Sequence, residues 1–304
     1  MKEIIRIATR NSPLAMVQAN IIKDALTQEP GVGDVKIISM STSGDTVSDQ
    51  VFKTEGGKGL FLKELEKSLL SKRTDIAVHS FKDVPAVLDK RFMVTSFLKR
   101  ERVNDIFISN TFESLQNIPA NGKIGTSSPR RISILKSLSN NYKIIEIRGN
   151  LQTRLKKLED LELDGIILAS AGFSRMKLKA KYIQHLPVEE FVPAAGQGTL
   201  CIQFLKERND IQKILEKHVN KDVQICSEQE RHFVKHINGN CMSPIGVYAR
   251  INKNELIITT MIANLSGAKI LKTKKIYKID ESGLAGEELA KLALKQGAKE
   301  ILKT

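Results

Sequence analysis

Tryptophan is absent from this 304-residue chain, and aromatic residues make up only 5% of it. Stacking platforms for exposed bases are therefore scarce, which argues against a nucleic-acid partner. Three cysteines occur, Cys201, Cys226 and Cys241, far apart and odd in number. That pattern offers neither a disulfide framework nor a C-x-x-C metal pair. Of the five histidines only His232 and His236 stand at i,i+4, and they lack the glutamate of H-E-x-x-H. They read as a structural helix face, so no metal is expected. No apolar run approaches the roughly 20 residues that span a bilayer. The opening MKEIIRIATR lacks the apolar core and cleavage site of a signal peptide. The expectation is a cytoplasmic protein that does not engage a membrane.

Positive charge is what the chain has in excess: 48 Lys and Arg against 34 Asp and Glu, a net +14. An anionic partner follows. The cations are not gathered into one tract, so a small polyanion in a cleft is as compatible with the charge as nucleic acid is.

Hydrophobic periodicity gives strands at 3–8, 35–40 and 74–79 and helices at 13–28 and 60–71, with Pro13 near a helix start. The stretch 42–59 is polar and glycine-rich and reads as a long loop. Its GGKG lacks the Ser or Thr that a phosphate loop needs after the lysine, so Gly56, Gly57, Lys58 and Gly59 read as a lid hinge. Beyond the charged Lys99–Arg102, strands at 106–108, 122–125, 143–147 and 164–169 alternate with helices at 129–138, 151–159 and 179–184. That order indicates α/β domains. The segment 188–198 reads as a return crossing. A helix at 222–236, strands at 245–251, 255–262 and 269–277, and a helical tail at 284–302 then suggest a small α+β domain.

Chemistry gathers where strands end. In Gly125-Thr126-Ser127-Ser128-Pro129-Arg130-Arg131, Ser128 suits an N-cap and Pro129 the first helical position. The helix start offers free N–H groups to an anion. Arg131 falls amid Ile134, Leu135 and Leu138, which calls for either an anionic ligand or a buried local carboxylate. Arg148-Gly149-Asn150, with Arg154 in the next first turn, repeats the layout, and Arg175 is a third such arginine. Guanidinium forks suit carboxylates. At His79–Pro85, Lys82-Asp83 is either a surface turn or a carboxylate that handles protons or a developing cation. Cys241, in a polar loop, is either a reactive thiol or incidental; Cys201 and Cys226 read as packing residues.

Taken together, T-R-x-S-x-L-A at 9–15, G-G-K-G-L-F at 56–61, H-S-x-K-D-x-P at 79–85, G-T-S-S-x-R-R at 125–131, R-G-N-x-x-T-R-L at 148–155, P-A-x-G-Q-G at 193–198 and C-x-x-P-x-G at 241–246 resemble the porphobilinogen deaminase family. They keep the family's order along nearly the whole chain. The resemblance implies an α/β fold: two periplasmic-binding-protein-like domains with a central cleft, 1–98 with 199–216 and 104–192, plus an α+β domain at 221–304. It implies a monomer that joins four porphobilinogen units head to tail, with loss of ammonia, on a dipyrromethane held by Cys241 through a thioether. Hydrolysis then releases hydroxymethylbilane. By the same likeness Asp83 is catalytic, and Ser80, Lys82, Thr126, Ser128, Arg130, Arg131 and Arg148 hold the cofactor. Arg10, Ser12, Arg148, Arg154, Arg175 and Gln197 would meet substrate. Departures at Phe81, Pro129 and Asn240 remove no chemical group. The alternative is a non-catalytic binding protein for a small anionic ligand.

Overall fold

The computed structural model describes residues 3–42, 62–138, 141–240 and 242–303. They form two compact units, Met1–Arg100 with Thr199–Gln224 and Glu101–Gly198 with Ile225–Thr304. Among the described residues no helix is long and apolar enough to cross a membrane.

The first unit holds β1 (Glu3–Arg10), α1 (Pro13–Thr27), β2 (Val32–Met40), α2 (Lys63–Leu70), β3 (Ile76–Ser80) and β4 (Phe92–Phe97). Ser12 caps α1 by accepting from the Ala15 N–H at 3.4 Å, and Ala15, Ala19, Ile22 and Leu26 form its buried stripe. The returning chain adds β10 (Leu200–Leu205) and α6 (Asn209–Glu216), and the sheet order is β2-β1-β3-β10-β4. Strands β1, β2 and β3 are parallel, and β10 is antiparallel to both its neighbours. Every residue of β10 is buried, so it shows none of the alternation that marks a half-exposed strand.

The second unit repeats that plan with β5 (Asp105–Ser109), β6 (Lys123–Gly125), α3 (Pro129–Ser137), β7 (Lys143–Ile145), α4 (Leu151–Asp160), β8 (Gly165–Ala169), α5 (Ser170–Arg175) and β9 (Tyr182–His185). Its order is β7-β6-β8-β5-β9, again with three parallel strands beside an antiparallel one. Here the antiparallel strand is the first to arrive rather than the last. Parallel strands put their carboxyl ends on one sheet edge, where helix N-termini collect.

The unit is completed by α7 (Lys221–His236), an antiparallel meander β11 (Ile245–Asn252), β12 (Glu255–Ala263) and β13 (Ile270–Lys278), and α8 (Ala285–Lys295) and α9 (Ala298–Lys303). The expected α+β grouping is present. Its core is continuous with that of the second sheet: Met261 and Ala263 pack with Phe107, Leu135, Phe191 and Val192. Gly246 lies so close to this seam that an added Cβ would stand 2.5 Å from the Val192 carbonyl oxygen.

One expected element is wrong. The segment 179–184 is not helical; Tyr182–His185 is the edge strand β9, paired with β5. Burial alternates along Tyr182–His185, which is the strand period. The residues between β8 and Arg175 form a helix, α5. Cys201 and Cys226 are buried packing residues, as expected.

Candidate active site

In the first unit, Arg10 ends β1, Ser12 opens α1 and Ser80 ends β3, so the three share one edge of the parallel strands. A single 3-10 turn, Phe81–Asp83, follows Ser80. Its start is held by the Phe81 N–H donating to the Thr199 carbonyl at 3.0 Å, and the Phe81 ring is buried. Asp83 is exposed and has no hydrogen-bond or ion-pair partner among the described residues. Gln18, which sequence reasoning missed, reaches across from α1 to donate to Ser80 Oγ at 2.7 Å. Its signal was a polar residue inside the buried stripe of α1.

In the second unit, three junctions lie on the edge formed by the carboxyl ends of β6, β7 and β8. At the first, Thr126 is buried, and Ser128 stands at the N-cap of α3 with no side-chain cap bond. The helix start therefore keeps its N–H groups without a hydroxyl cap. At the second, Gly149 takes φ +108°, a left-handed conformation that suits glycine. Asn150 caps α4 by accepting from Thr153 N–H at 2.9 Å, and Arg154 Nε donates to the Gly149 carbonyl at 2.9 Å. At the third, β8 runs directly into α5, so Arg175 stands not at the strand end but at the far end of that helix, where it donates to the Gly198 carbonyl at 2.7 Å. Burial, partly opposed by the Glu101 carboxylate, pushes this guanidinium down to about 10.

Arg130 and Arg131 resolve the alternative that the sequence leaves open. Both reach Asp105, the first residue of β5, at 2.8 and 2.7 Å, and all three are buried. Arg130 also donates to the Val192 carbonyl and Arg131 to the Ile167 carbonyl, each at 2.9 Å. Gln197 Nε2 adds bonds to Asp105 Oδ1 at 2.9 Å and to the Val103 carbonyl at 2.7 Å. Burial alone would raise the Asp105 carboxyl; the two guanidiniums and these hydrogen bonds outweigh it and hold the group below the ordinary carboxylate range. So a local carboxylate does meet Arg131. Asp105 was missed because it lies 26 residues from Arg131 in the chain, beyond any local spacing rule. The pairing leaves Arg131 Nε buried with no acceptor among the described residues. A ligand carboxylate at the start of α3 would meet the Ser128 hydroxyl and the helix N–H groups, so this junction fits an anionic cofactor.

Lys82 and Arg148 complete the described candidates, both half-buried. Cys241 and the lid residues Gly56, Gly57, Lys58 and Gly59 lie outside the described residues.

Arginines beside the strand-to-helix junctions, and a start of α3 without a side-chain cap, define an α/β protein with cationic strand ends. The chain belongs to the porphobilinogen deaminase family. The family model described as porphobilinogen deaminase, dipyromethane cofactor binding domain, matches residues 5–213, and that of the C-terminal domain matches residues 224–295. A porphobilinogen deaminase of Francisella tularensis subsp. tularensis is 40% identical over 304 residues, covering 100% of both chains. One from Ruthia magnifica is 37% identical over 303 residues, again covering 100% of each. Among solved structures, a putative methionine-binding lipoprotein of Bacillus subtilis overlaps with a TM-score of 0.44 at 14% identity, over 73% of this chain and 92% of its own. A probable amino-acid transporter binding protein of the same organism gives 0.43 at 11%, over 77% and 97%.

Proposed function

We propose that this chain carries out the porphobilinogen deaminase reaction with Asp83 as its catalytic carboxylate and Cys241 as the attachment point of its primer. The enzyme is a transferase of tetrapyrrole biosynthesis, a hydroxymethylbilane synthase. It joins four porphobilinogen units head to tail with loss of ammonia and releases hydroxymethylbilane by hydrolysis. When bound, the dipyrromethane supplies the covalent primer from which the chain of rings extends. A cysteine thioether is the family's means of attachment, and Cys241 lies in the family's C-x-x-P-x-G loop.

The observation that carries the assignment of Asp83 is its isolation. The chain has a net +14 charge, yet this exposed carboxylate at a strand end has no cationic partner among the described residues. A free carboxylate would repel a substrate that carries two carboxylates of its own, unless it serves a cationic stage. Loss of ammonia creates that stage, and Asp83 stabilises the electron-poor methylene-pyrrole cation. Arg131, Arg148, Arg154 and Arg175, with the start of α3, hold acetate and propionate groups. Arg10, Ser12, Ser80, Lys82, Thr126, Ser128, Arg130 and Gln197 complete the contacts. Three domains, 1–98 with 199–216, 104–192 and 221–304, working as a cytoplasmic monomer without nucleic acid, complete the proposal.

Peptide mapping by mass spectrometry tests the primer. Active protein should carry two linked pyrrole rings on the Cys241 peptide; an unmodified Cys241, or an adduct on Cys201 or Cys226, would overturn the assignment.

A further inference from the structure

Three polar side chains cross the interior of the first unit in a line. His79 of β3 and Gln203 of β10 are buried, and Glu66 of α2 is half-buried. Gln203 Nε2 donates to Glu66 Oε1 at 2.7 Å, and His79 Nε2 lies 3.1 Å from Gln203 Oε1. With the amide nitrogen committed to a carboxylate, the amide oxygen is left for the imidazole. The network therefore places the ring hydrogen on Nε2. His79 pairs with Cys201, and Gln203 is two residues further on, so His79 and Gln203 are diagonal neighbours on one sheet face. Their cross-strand partners, Cys201 and Ala77, are fully buried.

An apolar residue of Gln203's size would seem the simpler choice there. The strand explains why it is not used. Leu200, Cys201, Ile202, Phe204 and Leu205 are buried on both faces, so burial specifies their register only weakly. A slip of two residues would keep every face intact while stranding His79 and Glu66 without Gln203. A single buried polar residue is the best-attested way to fix such a register. Register matters here because it sets which carbonyl meets Phe81. The Thr199 carbonyl, one residue before β10, accepts the N–H that opens the turn bearing Asp83.

We propose that Glu66, Gln203 and His79 form a register pin for β10, and that His79 and Gln203 are positioning residues which seat Asp83 for the reaction. The proposal rests on the reading of Asp83 as the catalytic carboxylate. Burial holds the imidazole neutral, with its single ring hydrogen on Nε2; the hydrogen bond to Gln203 opposes this effect and the nearby charge of Arg10 adds to it. Asp89 and Arg91 are the charged groups that act on Glu66.

Steady-state kinetics of the full, primer-loaded chain test it, with thermal melting and amide exchange at Phe81. Gln203→Leu should lower kcat about 10- to 100-fold, the scale of a small misplacement of a reacting group. KM should stay within about twofold, and the Phe81 amide should exchange faster. Gln203→Glu alone sets two carboxylates face to face and should be slow. Adding Glu66→Gln to it should recover most of kcat, because the exchanged amide donates to the exchanged carboxylate, which still accepts from His79. Wild-type kcat in Gln203→Leu, with or without a lower melting temperature, would overturn the pin while leaving the role of Asp83 intact. If Gln203→Leu does not fold, a double variant that stays as slow as Gln203→Glu overturns it instead. Wild-type kcat in Asp83→Asn overturns the reading beneath it.

Discussion

Two aspartates illustrate how neighbours decide the work of a side chain. Asp83 is exposed and has no partner among the described residues, while Asp105 is buried between two arginines. Replacing Asp83 with Asn keeps shape and removes charge. It should lower kcat by at least about 10²-fold and change KM much less, by steady-state kinetics on folded variants. Asp83→Glu should fall between that variant and wild type. Asp105→Asn should instead act on stability, since it strands two buried guanidiniums. Removing one partner of a buried pair costs about 3–5 kcal/mol, which urea unfolding would measure. The depressed pKa of Asp105 means its stabilisation is complete above the usual carboxylate pKa of about 4 and fades as pH falls through the lower folded value. The acid limb of stability should therefore flatten in Asp105→Asn. His79 acts in a different window. Its folded pKa, about 4, lies below the ordinary 6.5, so protonation favours the unfolded chain. Stability should drop by roughly 3 kcal/mol as pH falls across that window, and His79→Gln should lose most of this dependence in pH-resolved melts.

At the level of elements, the sequence is most readable where periodicity and capping agree. Helix α1 carries Pro13, Ser12 and an apolar stripe, and the three strands of the C-terminal meander begin and end within one residue of expectation. The junctions Ser128–Arg131 and Arg148–Arg154 were legible for the same reason: a turn, a cap position and an arginine fall together in the chain. Asp105, Gln18 and Gln203 were not, because each acts across 26 or more residues. Edge strand β9 was misread because its four residues, Tyr182–His185, are too few to show a period. Knowing the partners separates the arginines that the sequence lists together. Arg131→Lys should reduce both stability and turnover, because its fork serves Asp105 and Ile167. Arg154→Lys, at an exposed hydrogen bond to the Gly149 carbonyl, should fold normally and lose about 1.5–3 kcal/mol of binding. Mass spectra of its bound intermediates should show a stalled chain length, and a normal distribution with normal turnover would count against a role in carboxylate binding.

For the molecule as a whole, the excess of positive charge is matched to a product that gains two carboxylates with every unit. Salt should therefore weaken substrate capture more than chemistry. KM for porphobilinogen is expected to rise with ionic strength while kcat stays nearly flat. Sequence made this charge plain but could not apportion it. Much of it is tied up internally, as in Arg6 and Arg208, which both grip Asp75.

The placement of β10 has a consequence for synthesis. Ribosomes deliver residues in order, and the second sheet is complete once residues 105–185 have emerged, all its strands being contiguous in the chain. The first sheet must wait for Leu200–Leu205, which fills the gap between β3 and β4. The N-terminal third thus spends about a third of translation with two unpaired strand edges, although it is made first. Nascent-chain proteolysis should find the middle of this protein protected before its beginning, the reverse of the usual N-terminal-first order.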